Sequence, residues 1–132
     1  MPPLLDRFYA ALKALSPEQL SACVSEDFVL NWQGSDAIPW AGTWRGVEGL
    51  LAFVDRLNAH LEILSVERLQ QLSDEHTCMV LLRGHWRLKA SGREVQAMVC
   101  NVFEIQRDRI RTYTVLNNTV AFAEALQAHP RA

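Results

Sequence analysis

Cysteine is scarce in this chain, and the few cysteines present do not form a pattern. Cys23, Cys78 and Cys100 are three among 132 residues. An odd number without metal-ligand spacing excludes a disulfide framework and reads as buried, reduced thiols. His60, His76, His85 and His129 have neither i,i+4 spacing nor a partner motif, so no metal and no other cofactor is expected. No apolar run approaches the ~20 residues of a membrane span. The opening MPPLLDRFYAAL lacks the basic n-region and small-residue cleavage site of a signal peptide, and a cytoplasmic location is the expectation. Positive charge is not in excess either: 13 Lys and Arg stand against 15 Asp and Glu. Nucleic-acid binding needs a clustered basic face. The nearest approach to one, Arg83, His85, Arg87, Lys89 and Arg93, mostly alternates with apolar residues, as a solvated strand face does.

What is present is an apolar chain, 49% hydrophobic, long enough to close one core. A single domain over residues 1–132 is expected. Leu4, Leu5, Phe8, Ala11, Leu12 and Leu15 recur at helical spacing. Ser16-Pro17-Glu18 then restarts a short helix, with Ser16 as N-cap and Pro17 in the first turn. Phe28 to Trp32 reads as a strand running into a loop. Gly46 precedes a helix whose Val47, Leu50, Leu51, Val54, Leu57 and Leu61 form an apolar stripe. Four strands follow near 62–72, 76–89, 94–106 and 109–116, with Ser91-Gly92 and Arg107-Asp108 as two-residue hairpin loops. Asn118 suits the cap of a last helix. The order predicts an α+β fold, helices first and then an antiparallel meander curling over them.

Those two turns set a register. Leu82 would lie opposite Asn101, Ile105 opposite Ile110 and Asn101 opposite Thr114. Alternation then collects Val80, Leu82, Trp86, Ala97, Val99, Asn101, Phe103, Thr112, Thr114 and Leu116 on one face. Met79, Leu81, Arg83, Met98, Cys100, Val102, Tyr113 and Val115 take the other, with Glu104 facing Arg111. Cys78 and Cys100 fall on opposite faces, which rules out a disulfide between them. Both faces are apolar at the centre, and helices can cover only one. The other predicts a homodimer through Met98, Cys100, Val102, Tyr113 and Val115.

The stretches RFYAALKALSPEQLSACVSEDFVLNW, AGTWRGVEGLLAFVDRL, VFEIQRDRIRTYTV and NNTVAFAEAL, in this order and spacing, resemble the nuclear transport factor 2-like superfamily. Within it, the chain is similar to the SnoaL-like and ketosteroid isomerase-like proteins, over nearly its whole length. The resemblance implies a cone-shaped half-barrel, a curved, mainly antiparallel sheet wrapped around N-terminal helices. It also implies a small, mostly apolar molecule in the open end, and dimerisation through the outer sheet face. Ketosteroid isomerase moves a proton with a carboxylate base, while a Tyr and a protonated Asp stabilise the oxyanion. Matching SEDFVLNWQG puts Asn31 at the base, matching MVCNVFEIQ puts Asn101 at the protonated Asp, and matching RFYAAL puts Phe8 at the Tyr, with Tyr9 beside it. Asn118-Thr119 stands where SnoaL-like cyclases often carry an acid followed by Thr.

Amides have no useful pKa near neutrality and cannot act as general bases. The resemblance therefore points to recognition more than to catalysis. The expected pocket is lined by Phe8, Trp32, Leu82, Trp86, Val99 and Phe103, with Trp40 over its mouth. Asn31 and Asn101 are its polar handles or satisfied core amides, and Thr114 is an internal partner for Asn101. The alternative is an isomerase, cyclase or dehydratase acting on a small hydrophobic carbonyl compound. Its base would be Asp36 or His60, or a water positioned by Asn31. A third reading is a structural dimer whose cone is filled by its own side chains.

Overall fold

Pro3 opens the first helix, where its missing N–H has no intrahelical partner to lose. The computed structural model describes residues 3–127, so His129 lies outside the described residues. Helix α1 (Pro3–Ala14) buries Leu4, Leu5, Phe8 and Ala11 along one side. The chain turns at Leu15, held left-handed at φ 52. Ser16 then accepts a hydrogen bond from the Gln19 backbone at 3.3 Å and caps α2 (Pro17–Cys23), as its sequence predicts.

Strand β1 (Val24–Trp32) begins four residues earlier than the sequence pattern suggests. A short strand not foreseen in the sequence, β2 (Gly42–Arg45), pairs with it in antiparallel fashion. Gly46, at φ 68, then bends the chain into α3 (Gly46–His60). A side chain there would be strained in that left-handed region. The meander follows as β3 (Leu61–Ser73), β4 (Thr77–Leu88), β5 (Glu94–Gln106) and β6 (Arg109–Asn117). Helix α4 (Thr119–Gln127) closes the described chain, with Asn118 Oδ1 accepting from the Ala121 N–H at 3.2 Å.

The six strands form one curved, open sheet in the order β2-β1-β6-β5-β4-β3. All neighbours are antiparallel except β1 and β6, which run parallel. The helices pack on the concave face. There Phe28, Leu30, Trp32, Cys78, Val80, Val95, Ala97, Val99 and Phe103 join the α1 and α3 stripes in one core.

One turn and one register differ from expectation, with different consequences. Leu88 and Arg93 close the β4–β5 hairpin around residues 89–92, with Gly92 at φ 77, so the loop is longer than Ser91-Gly92 alone. Asn101 therefore faces Val80, and Leu82 faces Val99. A slip of two residues keeps every side chain on its face. The Arg107-Asp108 turn is as expected, with φ values of 53 and 58, and Ile105 does pair with Ile110. Beyond that pair the register shifts by one, because Arg111 is an extra residue between Ile110 and Thr112. A one-residue bulge reverses all later side chains.

Tyr113 and Val115 therefore enter the core beside Phe103 and Asn101, at 8% and 5% exposure, and do not belong to the outer face. Thr112, Thr114 and Leu116 turn outward instead. Thr114 pairs with Val102 and cannot partner Asn101. Glu104 faces Thr112, while Arg111 reaches Asp27 at 3.4 Å. The opposite-face placement of Cys78 and Cys100 holds, since Cys78 pairs with inward Phe103 and Cys100 with outward-facing Leu81. All three cysteines are free.

Candidate functional site

Asn101, 3% exposed in the middle of β5, is the one buried amide or charged residue among the described residues. An amide there must be hydrogen-bonded or cost about 1–3 kcal/mol. Its Nδ2 donates to the Tyr9 hydroxyl oxygen at 3.0 Å, tying α1 to the floor of the sheet. Of the two residues that RFYAAL brings here, Tyr9 and not Phe8 meets the amide. Phe8 is fully buried, packed edge-on against Phe103 and Tyr113. Since Asn101 is the donor, the Tyr9 proton remains available to another acceptor. Burial pushes Tyr9 above the usual phenol value, against the opposing effects of the Asn101 hydrogen bond and the Arg68 charge. Burial also holds Tyr113 far above that value, and the nearby Tyr9 adds to it. Both phenols therefore stay protonated near neutrality.

A second group closes the other end of the concave face. The Trp40 ring lies edge-on to Trp32 at 5.7 Å and to Phe122 at 5.9 Å between centroids, and Trp86 lies 5.3 Å from Phe122. Phe122, from α4, thus packs against three indoles. Trp86 lies flat over Gly84, where an added Cβ would overlap its ring. Trp44 packs on Phe53 and donates its indole N–H to the Trp40 carbonyl at 3.1 Å. Two buried polar atoms in or beside this group have no partner among the described residues, Trp40 Nε1 and Asn117 Oδ1. Asn117 sits opposite Val99, and its Nδ2 donates to the Gln33 carbonyl at 3.1 Å.

The three catalytic candidates, Asn31, Asp36 and His60, have different fates. Asn31 lies between Leu30 and Trp32, exposed 0% and 6%, and is itself half-buried on the opposite face, paired with Thr43 and Thr114. Adjacent strand residues point to opposite sides. Asn31 and Trp32 cannot line one cavity, and it is Trp32 that points inward. Asp36 is exposed in a surface turn held by Ser35. His60, half-buried at the end of α3, alone touches the interior group, with its ring 5.8 Å from Trp40. Its Nδ1 lies 2.9 Å from the Arg56 carbonyl, which can only accept. Nδ1 therefore donates, which leaves Nε2 as the ring nitrogen turned away from that bond.

Of the expected lining residues, Phe8, Trp32, Trp40, Val99 and Phe103 lie in the core, Leu82 and Trp86 pack against it, and Asn101 is buried among them. Leu82 and Trp86 are only partly covered, as are Tyr9 and Leu12 of α1. Beside them the concave side of β3 is open, with Ile63 at 57% and Val66 at 50% exposure, paired with Trp86 and Gly84. Along the same face Leu82 pairs with Val99, and Val80 with Asn101. Among the described residues no group of three or more His, Cys, Asp and Glu could hold a metal ion, and no helix is long and apolar enough to cross a membrane.

This architecture recurs in solved structures. A nuclear transport factor 2-like protein of Burkholderia xenovorans shares it at 22% identity, with a TM-score of 0.86 and coverage of 94% of this chain and 93% of that one. A protein of Rhodopseudomonas palustris called an isomerase matches at 18% identity, a TM-score of 0.78 and coverage of 95% and 97%. A SnoaL-like protein of Jannaschia, called a polyketide cyclase, matches at 14%, with a TM-score of 0.75 and coverage of 96% and 91%. A comparison with curated proteins finds no match. These likenesses define the nuclear transport factor 2-like fold. The model of the SnoaL-like domain matches residues 5–113. The chain belongs to the SnoaL-like domain family.

Proposed function

We propose that this SnoaL-like protein binds a small, mostly apolar molecule on the concave face of its sheet, without the carboxylates that family chemistry uses. The observation that carries this reading is the Tyr9–Asn101 pair. A buried amide and a phenol with a proton to spare sit next to apolar surface that the described helices leave open. Pockets for small molecules have this composition, mostly apolar with a few convergent polar groups. Family membership supports the fold of the site and leaves the ligand to chemistry.

The alternative, an isomerase, cyclase or dehydratase on a small hydrophobic carbonyl compound, is favoured by one observation. The half-buried His60 ring borders Trp40 with its Nδ1 turned to the Arg56 carbonyl, and Tyr9 can donate to a carbonyl oxygen. Names given to two structural neighbours, isomerase and polyketide cyclase, agree with that second reading.

The protein is further proposed to be a cytoplasmic homodimer. Its outer face, with the bulge taken into account, offers Met79, Met98 and Leu116 at 39%, 45% and 43% exposure around Cys100 and Val102. Patches of this kind are commonly interfaces.

Native mass spectrometry of the purified protein, followed by denaturing extraction, tests the binding reading. An apolar molecule retained at one per subunit is expected. Protein at its bare mass that also takes up no added apolar probe would sink it.

A further inference from the structure

The charges on the long strands are sorted by face, with one departure. Arg83 and Arg87 lie on the outer side and pair there with Glu67 at 3.4 Å and Glu62 at 3.2 Å. Arg68 is different. It pairs across the ladder with Leu82, which in turn pairs with Val99, so it stands on the concave face. Along β3, β4 and β5 it is the single charged side chain on that face, and no described carboxylate pairs with it. Two bulges in β3, between Ile63 and Ser65 and between Arg68 and Gln70, break the alternation that would otherwise reveal this.

Arg68 is two strands from Asn101 and offset along them, a Cα separation of roughly 12 Å at ordinary strand spacings. The intervening floor is Leu82 and Val80, and the Asn101 end carries the Tyr9 hydroxyl. The guanidinium charge is felt at both Tyr9 and Cys78, where it favours the ionised forms. Two donors thus border one apolar surface: an always-charged fork and a phenol whose oxygen is already occupied by Asn101. What they lack is an acceptor. The complement is an anionic oxygen on an otherwise apolar body, since bonds from Arg to such oxygens are charge-assisted and geometrically matched.

We propose that this surface takes the anionic head of an apolar organic acid, a carboxylate or an ionised phenol or enol, with Arg68 and the Tyr9 hydroxyl as its donors. The proposal rests on the binding reading above and narrows it to a ligand class. Arg68 then sets specificity for charge, while Ile63, Val66, Leu82 and Trp86 hold the apolar body. Tyr9 supplies direction, because its one O–H donates to an oxygen along one line.

Calorimetric titration of the whole protein with two matched pairs tests this: trans-cinnamate against cinnamamide, and 2,4-dinitrophenolate against 2,4-dinitroanisole. Wild-type protein is expected to prefer the anion about tenfold in one pair or both, and the pair that shows it identifies the head group. Arg68→Gln should abolish the preference by weakening the anion about tenfold more than the neutral member; Arg68→Lys should retain part of it. Arg83→Gln, on the outer face, should change nothing. Arg68 is exposed, so its variants should fold, and an unchanged urea midpoint verifies this. Equal affinity for anion and neutral partner, or a preference that survives Arg68→Gln, overturns the charge inference and leaves the apolar site standing. If none of the four probes binds wild-type protein, the apolar site falls, and the charge inference with it.

Discussion

Single residues decide what the concave face can do. The Tyr9–Asn101 hydrogen bond satisfies an amide only 3% exposed. Tyr9→Phe should cost about 1–3 kcal/mol in urea unfolding, because it orphans that amide. Tyr9→Phe with Asn101→Leu should recover most of the loss, since removing both partners is nearly neutral. The same residues give a pH dependence. Burial raises Tyr9, and raises Tyr113 much further, in the folded protein. A raised phenol contributes stability that is full below the unfolded-state value of about 10 and is lost as pH rises past it. The urea midpoint should therefore hold to about pH 9 and fall above pH 10, and Tyr113→Phe should flatten that fall. An alkaline limb unchanged in the variant would refute the assignment. Legibility at this scale is uneven. Asn101 is evident from its sequence, an amide among Val99, Val102 and Phe103. The outward direction of Asn31 is also written in the alternation of Phe28, Leu30 and Trp32, a stronger signal than alignment to the position of an acid.

At the scale of elements, α4 does more than end the chain. Phe122 packs against Trp32, Trp40 and Trp86, binding the last helix to the mouth of the cone. Phe122→Ala should cost about 3–5 kcal/mol. It should also red-shift tryptophan emission as three indoles gain water. A cost below 1 kcal/mol would mean that α4 is not held this way. The strands of the meander are legible to within a residue or two because alternation and turn residues agree. The flip of β6 is not. The Arg111 bulge leaves no mark in composition, yet it exchanges Tyr113 and Val115 for Thr114 and Leu116 between faces. Strand β2 escapes notice for another reason: four residues, GTWR, are too few to show a period. Arg68 is hidden by the two bulges of its own strand.

For the whole molecule, the outer face and the concave face make separate demands. Met98 is 45% exposed on the outer apolar face. Met98→Glu should leave the subunit folded and shift sedimentation from dimer to monomer, whereas a wild-type monomer would remove the outer-face argument. The concave face carries the central claim, and its four tryptophans report on it directly. Trp32, Trp40 and Trp86 border the interior, while the Trp44 indole N–H is occupied by the Trp40 carbonyl. The most direct test is a 15N-labelled spectrum followed during titration with trans-cinnamate and cinnamamide. The backbone signals of Tyr9, Leu82 and Asn101 and the indole signals of Trp40 and Trp86 should move together and saturate at one equivalent per subunit, with Met98 and Thr114 still. Shifts confined to the outer face, or none at all, would contradict a concave binding site.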